Sequence, residues 1–170
     1  MPETTVCPDP CWYFAYASNL CRAIFAERRG MRALVSRRAR LDGHRLTFDL
    51  PVGPGERGVA NVEPDEAAHV WGAAYLLERE DCDRLDRSEG VHVGIYHRIA
   101  VDVTFDDGEV VQAFTYRSSW KTPGRKPSPR YLGLILDGAR EHELPGEYVR
   151  FLESLERARD ERVPPPGPGV

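Results

Sequence analysis

Several features that would assign a small protein to a special class are missing from this chain. No apolar run approaches eighteen residues, which argues against a membrane-spanning helix. The opening Met1-Pro2-Glu3-Thr4-Thr5 lacks the basic and apolar regions of a secretory leader, so the expectation is a soluble, cytoplasmic protein with no membrane partner. Positive charge is not in excess either: 23 Lys and Arg stand against 27 Asp and Glu, a net charge of −4. No global basic field exists to hold a phosphate backbone, and nucleic acid is not an expected partner. Four cysteines, Cys7, Cys11, Cys21 and Cys82, are too few and too unevenly spaced for a disulfide framework and are expected as free thiols. The closely spaced Cys7 and Cys11 would need further ligands to bind a metal, and the five histidines show no finger-like spacing. No metal or other cofactor is expected.

What is present is 170 residues with 41% hydrophobic content, enough for one domain with a substantial core. A flexible lead-in is expected over 1–11, a single domain over 12–158, and a disordered Pro/Gly-rich tail over 159–170, whose prolines lack backbone donors. Trp12 to Tyr16 reads as a buried strand. Ser18-Asn19 then offers an N-cap for a helix from Leu20 to Arg29. Val35 to Leu50 reads as a hairpin turning at Asp42-Gly43 or as one long bent strand, and Pro51 to Gly58 as a loop. Val59–Val62 and Val70–Leu77 follow as two further strands, and Glu78 to Ser88 as a surface helix stopped by Gly90.

Ile99, Val101, Val103 and Phe105 alternate with less apolar neighbours, the period of a strand with one buried face. Asp106-Asp107-Gly108 turns this strand into Val110–Tyr116, a hairpin. Ser118 to Pro129, with three basic residues and three prolines, is expected as a mobile loop. Ser128-Pro129 opens a helix with Tyr131, Leu134, Ile135 and Ala139 on one face; Tyr148, Phe151, Leu152 and Leu155 repeat the spacing in a second. The fold class expected is α+β: a mostly antiparallel, strongly curved or barrel-like sheet with flanking helices.

Two segments stand out chemically. Tyr13-Phe-Ala-Tyr-Ala-Ser-Asn-Leu20 brings a strand to a small-residue turn, where bare N–H groups can face an anion or a carbonyl oxygen. Asp86-Arg-Ser-Glu-Gly-Val91 places Glu89 at a helix C-terminus beside a glycine. A glutamate on a surface helix is ordinarily a solvated charge, and Ser18 can serve simply as an N-cap.

These two segments, together with Val70-Trp-Gly72, Tyr96 seven residues after Glu89, Pro127-Ser-Pro-Arg-Tyr131, Gly138-Ala139 and Leu144-Pro145, resemble the gamma-glutamyl cyclotransferase family over Trp12 to Leu155. The resemblance implies a small mixed barrel that converts γ-glutamyl amino acids into 5-oxoproline and the free amino acid, and it suggests a homodimer. In that reaction the substrate's own α-amine attacks its γ-carbonyl. A carboxylate must first take a proton from the ammonium and later deliver one to the leaving amine. Glu89 is the candidate for both steps, its pKa expected to be raised by burial and by the negative helix end. Tyr16, Ala17, Ser18, Asn19 and Leu20 would hold the α-carboxylate or the oxyanion through their N–H groups. By the resemblance, Tyr96, Tyr116 and Tyr131 would offer hydroxyls to polar substrate groups.

Family members commonly have glycine where this chain has Ala17, which narrows the site or shifts one donor if the turn needs φ > 0 or close backbone approach to a ligand, and otherwise only trims substrate shape. Two alternatives accompany the leading reading. One removes the γ-glutamyl group from an amine or a larger biosynthetic intermediate, with Lys121, Arg125 and Lys126 available to an anionic substrate. The other is a non-catalytic ligand-binding module on the same fold.

Overall fold

The computed structural model describes residues 8–159. Cys7, most of the expected lead-in and all of the expected tail beyond residue 159 lie outside them. Strands Cys11–Ala15 (β1), Val35–Pro51 (β2), Gly58–Leu77 (β3), His97–Phe105 (β4) and Val110–Arg117 (β5) close into a barrel in the order β1-β3-β2-β4-β5. Among these five strands β1 pairs with β5 in parallel and the other pairings are antiparallel. Helices Arg79–Ser88 (α1), Pro129–Glu141 (α2) and Gly146–Ser154 (α3) complete the α+β architecture. No helix among the described residues is long and apolar enough to cross a membrane.

The core is the barrel interior and the side of the barrel under the helices. Phe14, Leu41, Val62, Val70, Leu77 and Val103 from the strands meet Leu85, Leu132, Ile135 and Leu152 from the helices, all fully buried. Each such side chain contributes about 1.5–3 kcal/mol of apolar burial. Ser128 caps α2, its side chain accepting from Tyr131 N–H at 3.1 Å, with Pro129 in the first turn. Gly138 on α2 lies against the turn after β1. A Cβ there would stand 2.4 Å from Leu20 Cβ, so only glycine lets the helix come this close.

Three local expectations are corrected. The long bent form of β2 is the one adopted, and the two expected strands 59–62 and 70–77 are one strand, β3. The pairing jumps from Asp42↔His69 to His44↔Pro64, so four residues of β3 bulge out opposite Gly43. The turn signal at Asp42-Gly43 and the gap between the two expected strands both mark this one irregularity. Second, the segment expected as a helix from Leu20 to Arg29 is a 3₁₀ turn over Ser18–Leu20 followed by a π-type turn over Ala23–Arg28. Neither Ser18 nor Asn19 caps it; Ala17 holds the cap position without a side-chain bond. Third, Ser118–Pro129 is pinned rather than mobile. Ser118 N–H donates to Asn61 Oδ1 at 2.9 Å, Thr122 N–H to Asp49 C=O at 2.7 Å, and Lys126 exchanges backbone bonds with Glu56 and Gly58 at 2.8 Å each.

Candidate active site

β1 carries the chain from the barrel wall to the turn at Ala17–Leu20, and α1 ends beside that turn. Gly90 follows the helix in the left-handed region at φ 70°, the glycine stop that the sequence signals, and it leaves Glu89 as the C-cap. Asn19 and Glu89, 70 residues apart, are joined there: Asn19 Nδ2 donates to Glu89 Oε1 at 2.9 Å. The same nitrogen donates to the Tyr13 hydroxyl at 2.9 Å. The π-type turn swings Arg29 onto the other side of the carboxylate, where its Nη1 donates to Glu89 Oε1 at 3.2 Å and to Ser88 Oγ at 2.8 Å.

Both donors fall on Oε1. Among the described residues no group bonds Oε2, which leaves one carboxylate oxygen available to a substrate. Burial pushes the Glu89 pKa above its ordinary value, and the negative charge of Asp86 adds to this; Arg29 and Asn19 act in the opposite direction. The expected raised pKa is therefore present, with burial as its main cause, and Arg29 moderates it.

Around Glu89 lies a cavity of about 40 Å³ lined by Tyr13, Tyr16, Ala17, Ser18, Asn19, Ala60, Glu89, Tyr96, Tyr116 and Tyr131. Of the nine residues expected from the sequence, eight line it. Leu20 does not: its side chain is fully buried, its N–H donates to Ala17 C=O at 3.0 Å, and its C=O accepts from His142 Nε2 at 3.0 Å. It fixes the turn from behind. The N–H groups of Ser18 and Asn19 have no acceptor among the described hydrogen bonds, as expected at the start of a helical turn. Asn19 Oδ1 is also buried without a partner among the described residues.

The tyrosines divide by what their hydroxyls do. Tyr96 donates to Ala60 C=O at 2.6 Å and Tyr16 to Tyr116 C=O at 2.6 Å, while Tyr116 donates to the Asp86 carboxylate, which Arg98 also holds. Tyr96 and Tyr116 therefore shape the wall, and the protons expected for substrate are committed to the protein. Tyr131 instead accepts from Ala60 N–H at 3.1 Å. Ala17 has φ −130°, so the turn does not take the left-handed conformation that would call for glycine, and its side chain lines the cavity. Lys121 pairs with Glu63 and Lys126 with Glu156, and Arg125 bonds the carbonyls of Gly53 and Arg57; none of the three lines the cavity.

Sequence reasoning missed Tyr13, Ala60 and Arg29. Tyr13 carried one signal, a polar hydroxyl in an otherwise apolar buried strand. Arg29 carried none, because its position depends on a π-type turn that periodicity does not reveal. Among the described residues no three His, Cys, Asp or Glu side chains come together as metal ligands.

The chain is similar to known proteins. Residues 69–152 match the AIG2-like family. Gamma-glutamylcyclotransferase of Bos taurus is 33% identical over 151 residues, covering 85% of this chain and 78% of the relative. The gamma-glutamyl cyclotransferase gliK of Aspergillus fumigatus is 34% identical over 171 residues, covering 85% of this chain and 62% of the relative. A solved gamma-glutamyl cyclotransferase structure superposes with a TM-score of 0.80 at 26% identity, over 91% of this chain and 93% of that one. This chain belongs to the gamma-glutamylcyclotransferase family.

Proposed function

We propose that this protein cyclises γ-glutamyl amino acids to 5-oxoproline, releasing the free amino acid, with Glu89 as the acid–base group. The observation that carries the proposal is the state of Glu89: enclosed, with Oε1 fixed by Asn19 and Arg29 and Oε2 open beside the tyrosine-lined cavity. A carboxylate with a raised pKa is matched to taking a proton near neutrality and returning it.

The reaction moves two protons. The α-ammonium carries three and the lactam nitrogen of 5-oxoproline keeps one; the other two finish on the departing amine. Oε2 takes the first as the nitrogen becomes nucleophilic, hands it to the leaving nitrogen, and then relays the second by the same path. The N–H groups of Ser18 and Asn19 are suited to the α-carboxylate, and Asn19 Oδ1 to an N–H of the attacking amine. No step calls on a cofactor.

The second reading, removal of a γ-glutamyl group from a larger amine, draws support from the likeness to gliK of Aspergillus fumigatus. The pairing of Lys121, Arg125 and Lys126 speaks against an anionic substrate held by that loop. A cytoplasmic homodimer belongs to the proposal. Buried free thiols at Cys21 and Cys82 suit a reducing compartment, and light scattering would read twice the 19.2 kDa chain mass. The direct test is mass spectrometry of 5-oxoproline from a panel of γ-glutamyl amino acids, γ-glutamyl amines and glutathione. Release from the amino acids supports the reading, release from amines alone favours the second, and release from none refutes both.

A further inference from the structure

Each tyrosine hydroxyl has a single proton to donate. Five tyrosines line the cavity, and three of those protons are taken by the protein: Tyr16 by Tyr116 C=O, Tyr96 by Ala60 C=O, Tyr116 by Asp86. Tyr13 and Tyr131 are different. Each accepts a hydrogen bond, Tyr13 from Asn19 Nδ2 at 2.9 Å and Tyr131 from Ala60 N–H at 3.1 Å, and neither proton has an acceptor among the described residues.

Of these two, Tyr13 stands next to the base. Asn19 Nδ2 lies 2.9 Å from both the Tyr13 oxygen and Glu89 Oε1, so the two oxygens are no further apart than about twice that distance. When the α-amine attacks, the nitrogen that Glu89 deprotonates and the oxygen that becomes negative are bonded to one carbon. A donor for that oxygen must therefore lie close to the base, across a single substrate group.

We propose that the Tyr13 hydroxyl is a catalytic donor to the substrate's γ-carbonyl oxygen, stabilising the oxyanion formed as the lactam ring closes. The inference rests on the cyclotransferase reading above and adds a residue to it. The C–N bond forms as the carbonyl π pair moves onto oxygen; the pair returns as the bond to the leaving nitrogen breaks. Tyr13 keeps its proton throughout and the two transferred protons travel through Glu89.

The surroundings suit a fixed donor. The Tyr13 ring is 4% exposed and packs against Phe114 at 5.3 Å and Tyr116 at 5.6 Å between centroids. The bond from Asn19 fixes the oxygen as well, so little reorganisation is needed when charge develops. Burial, with Glu89 close by, pushes the Tyr13 pKa well above the ordinary phenol value. It serves as a donor and does not compete with Glu89 as a base.

The test is lactam release by wild type and Tyr13→Phe, read as 5-oxoproline from a γ-glutamyl amide and as 5-thioxoproline from the matching γ-glutamyl thioamide. An oxyanion donor is worth about 10²–10³ in kcat. Tyr13→Phe should lose that factor in kcat with KM changed little. The thioamide, a poor hydrogen-bond acceptor, should be turned over far more slowly than the amide by wild type, and this ratio should shrink in Tyr13→Phe. Equal ratios in the two proteins, or a variant with wild-type kcat, would overturn the role of Tyr13 while leaving the cyclotransferase reading intact. No release by wild type would overturn that reading and this inference with it. Should Tyr13→Phe fail to fold, 3-fluorotyrosine at position 13 replaces it: the more acidic donor should raise kcat for the amide, and an unchanged kcat refutes the proposal.

Discussion

Removing the Arg29 guanidinium tests how the Glu89 carboxylate is tuned. Arg29 Nη1 lies 3.2 Å from Oε1, with the Arg29 side chain 24% and the Glu89 side chain 15% exposed. An opposite charge this close, in partial enclosure, lowers a carboxylate pKa by about 1–3 units. In Arg29→Met that contribution disappears while burial and Asp86 still push upward. The acid limb of kcat/KM, which reports the free enzyme's base, should therefore move to higher pH.

Stability supplies a second readout of the same charge. A carboxylate whose folded pKa lies above its unfolded value is accommodated best in its protonated form. Its contribution is fully present below the unfolded value, about 4.3, and is lost as pH rises through the folded pKa. Raising the folded pKa further widens that loss at about 1.4 kcal/mol per unit. The Tm difference between wild type and Arg29→Met should be small near pH 4 and grow toward pH 8. An acid limb that does not move, with a Tm difference independent of pH, would show that Arg29 has no hold on Glu89.

Gly138→Ala should destabilise by about 1–3 kcal/mol through overpacking, because the new methyl meets Leu20 behind the Asn19 turn, and thermal melting would measure it. Lys121→Glu should likewise lower Tm, because it puts a second carboxylate beside Glu63, which is 8% exposed and then keeps Arg117 at 3.0 Å as its cationic partner, while leaving KM for γ-glutamyl amino acids unchanged. A changed KM would return that loop to the substrate site.

The parts of this protein that local rules govern were legible in its sequence. The strict alternation of β4, the Asp-Asp-Gly turn into β5, the Ser128-Pro129 start of α2 and the Gly90 stop of α1 each depend on a few neighbouring residues, and each is where the sequence indicated. Resemblance brought Glu89 and the Tyr16–Asn19 turn together across 70 positions, which no local rule could do. The rest was hidden because it depends on distant partners. The bulge opposite Gly43 splits the strand signal of β3, and backbone bonds to Asp49, Glu56 and Gly58 order a loop whose own composition suggests mobility. The hydroxyl directions are decided by acceptors elsewhere in the fold: Tyr116 looked like a ligand and binds Asp86, whereas Tyr13 looked like core and keeps a proton to donate. Arg29 reaches Glu89 only through a π-type turn.

In the proposed reaction Glu89 performs the proton transfers, and Glu89→Gln tests this role directly. The amide is nearly isosteric and can keep the Asn19 and Arg29 contacts through its oxygen, so Tm should stay within a few degrees of wild type, but it cannot take the ammonium proton. The measurement is 5-oxoproline released from a γ-glutamyl amino acid by wild type and Glu89→Gln at matched fold and concentration. Turnover should fall by at least about 10²-fold, the lower range for a general acid–base group; turnover retained at the wild-type rate by the folded variant would show that Glu89 does not carry the protons.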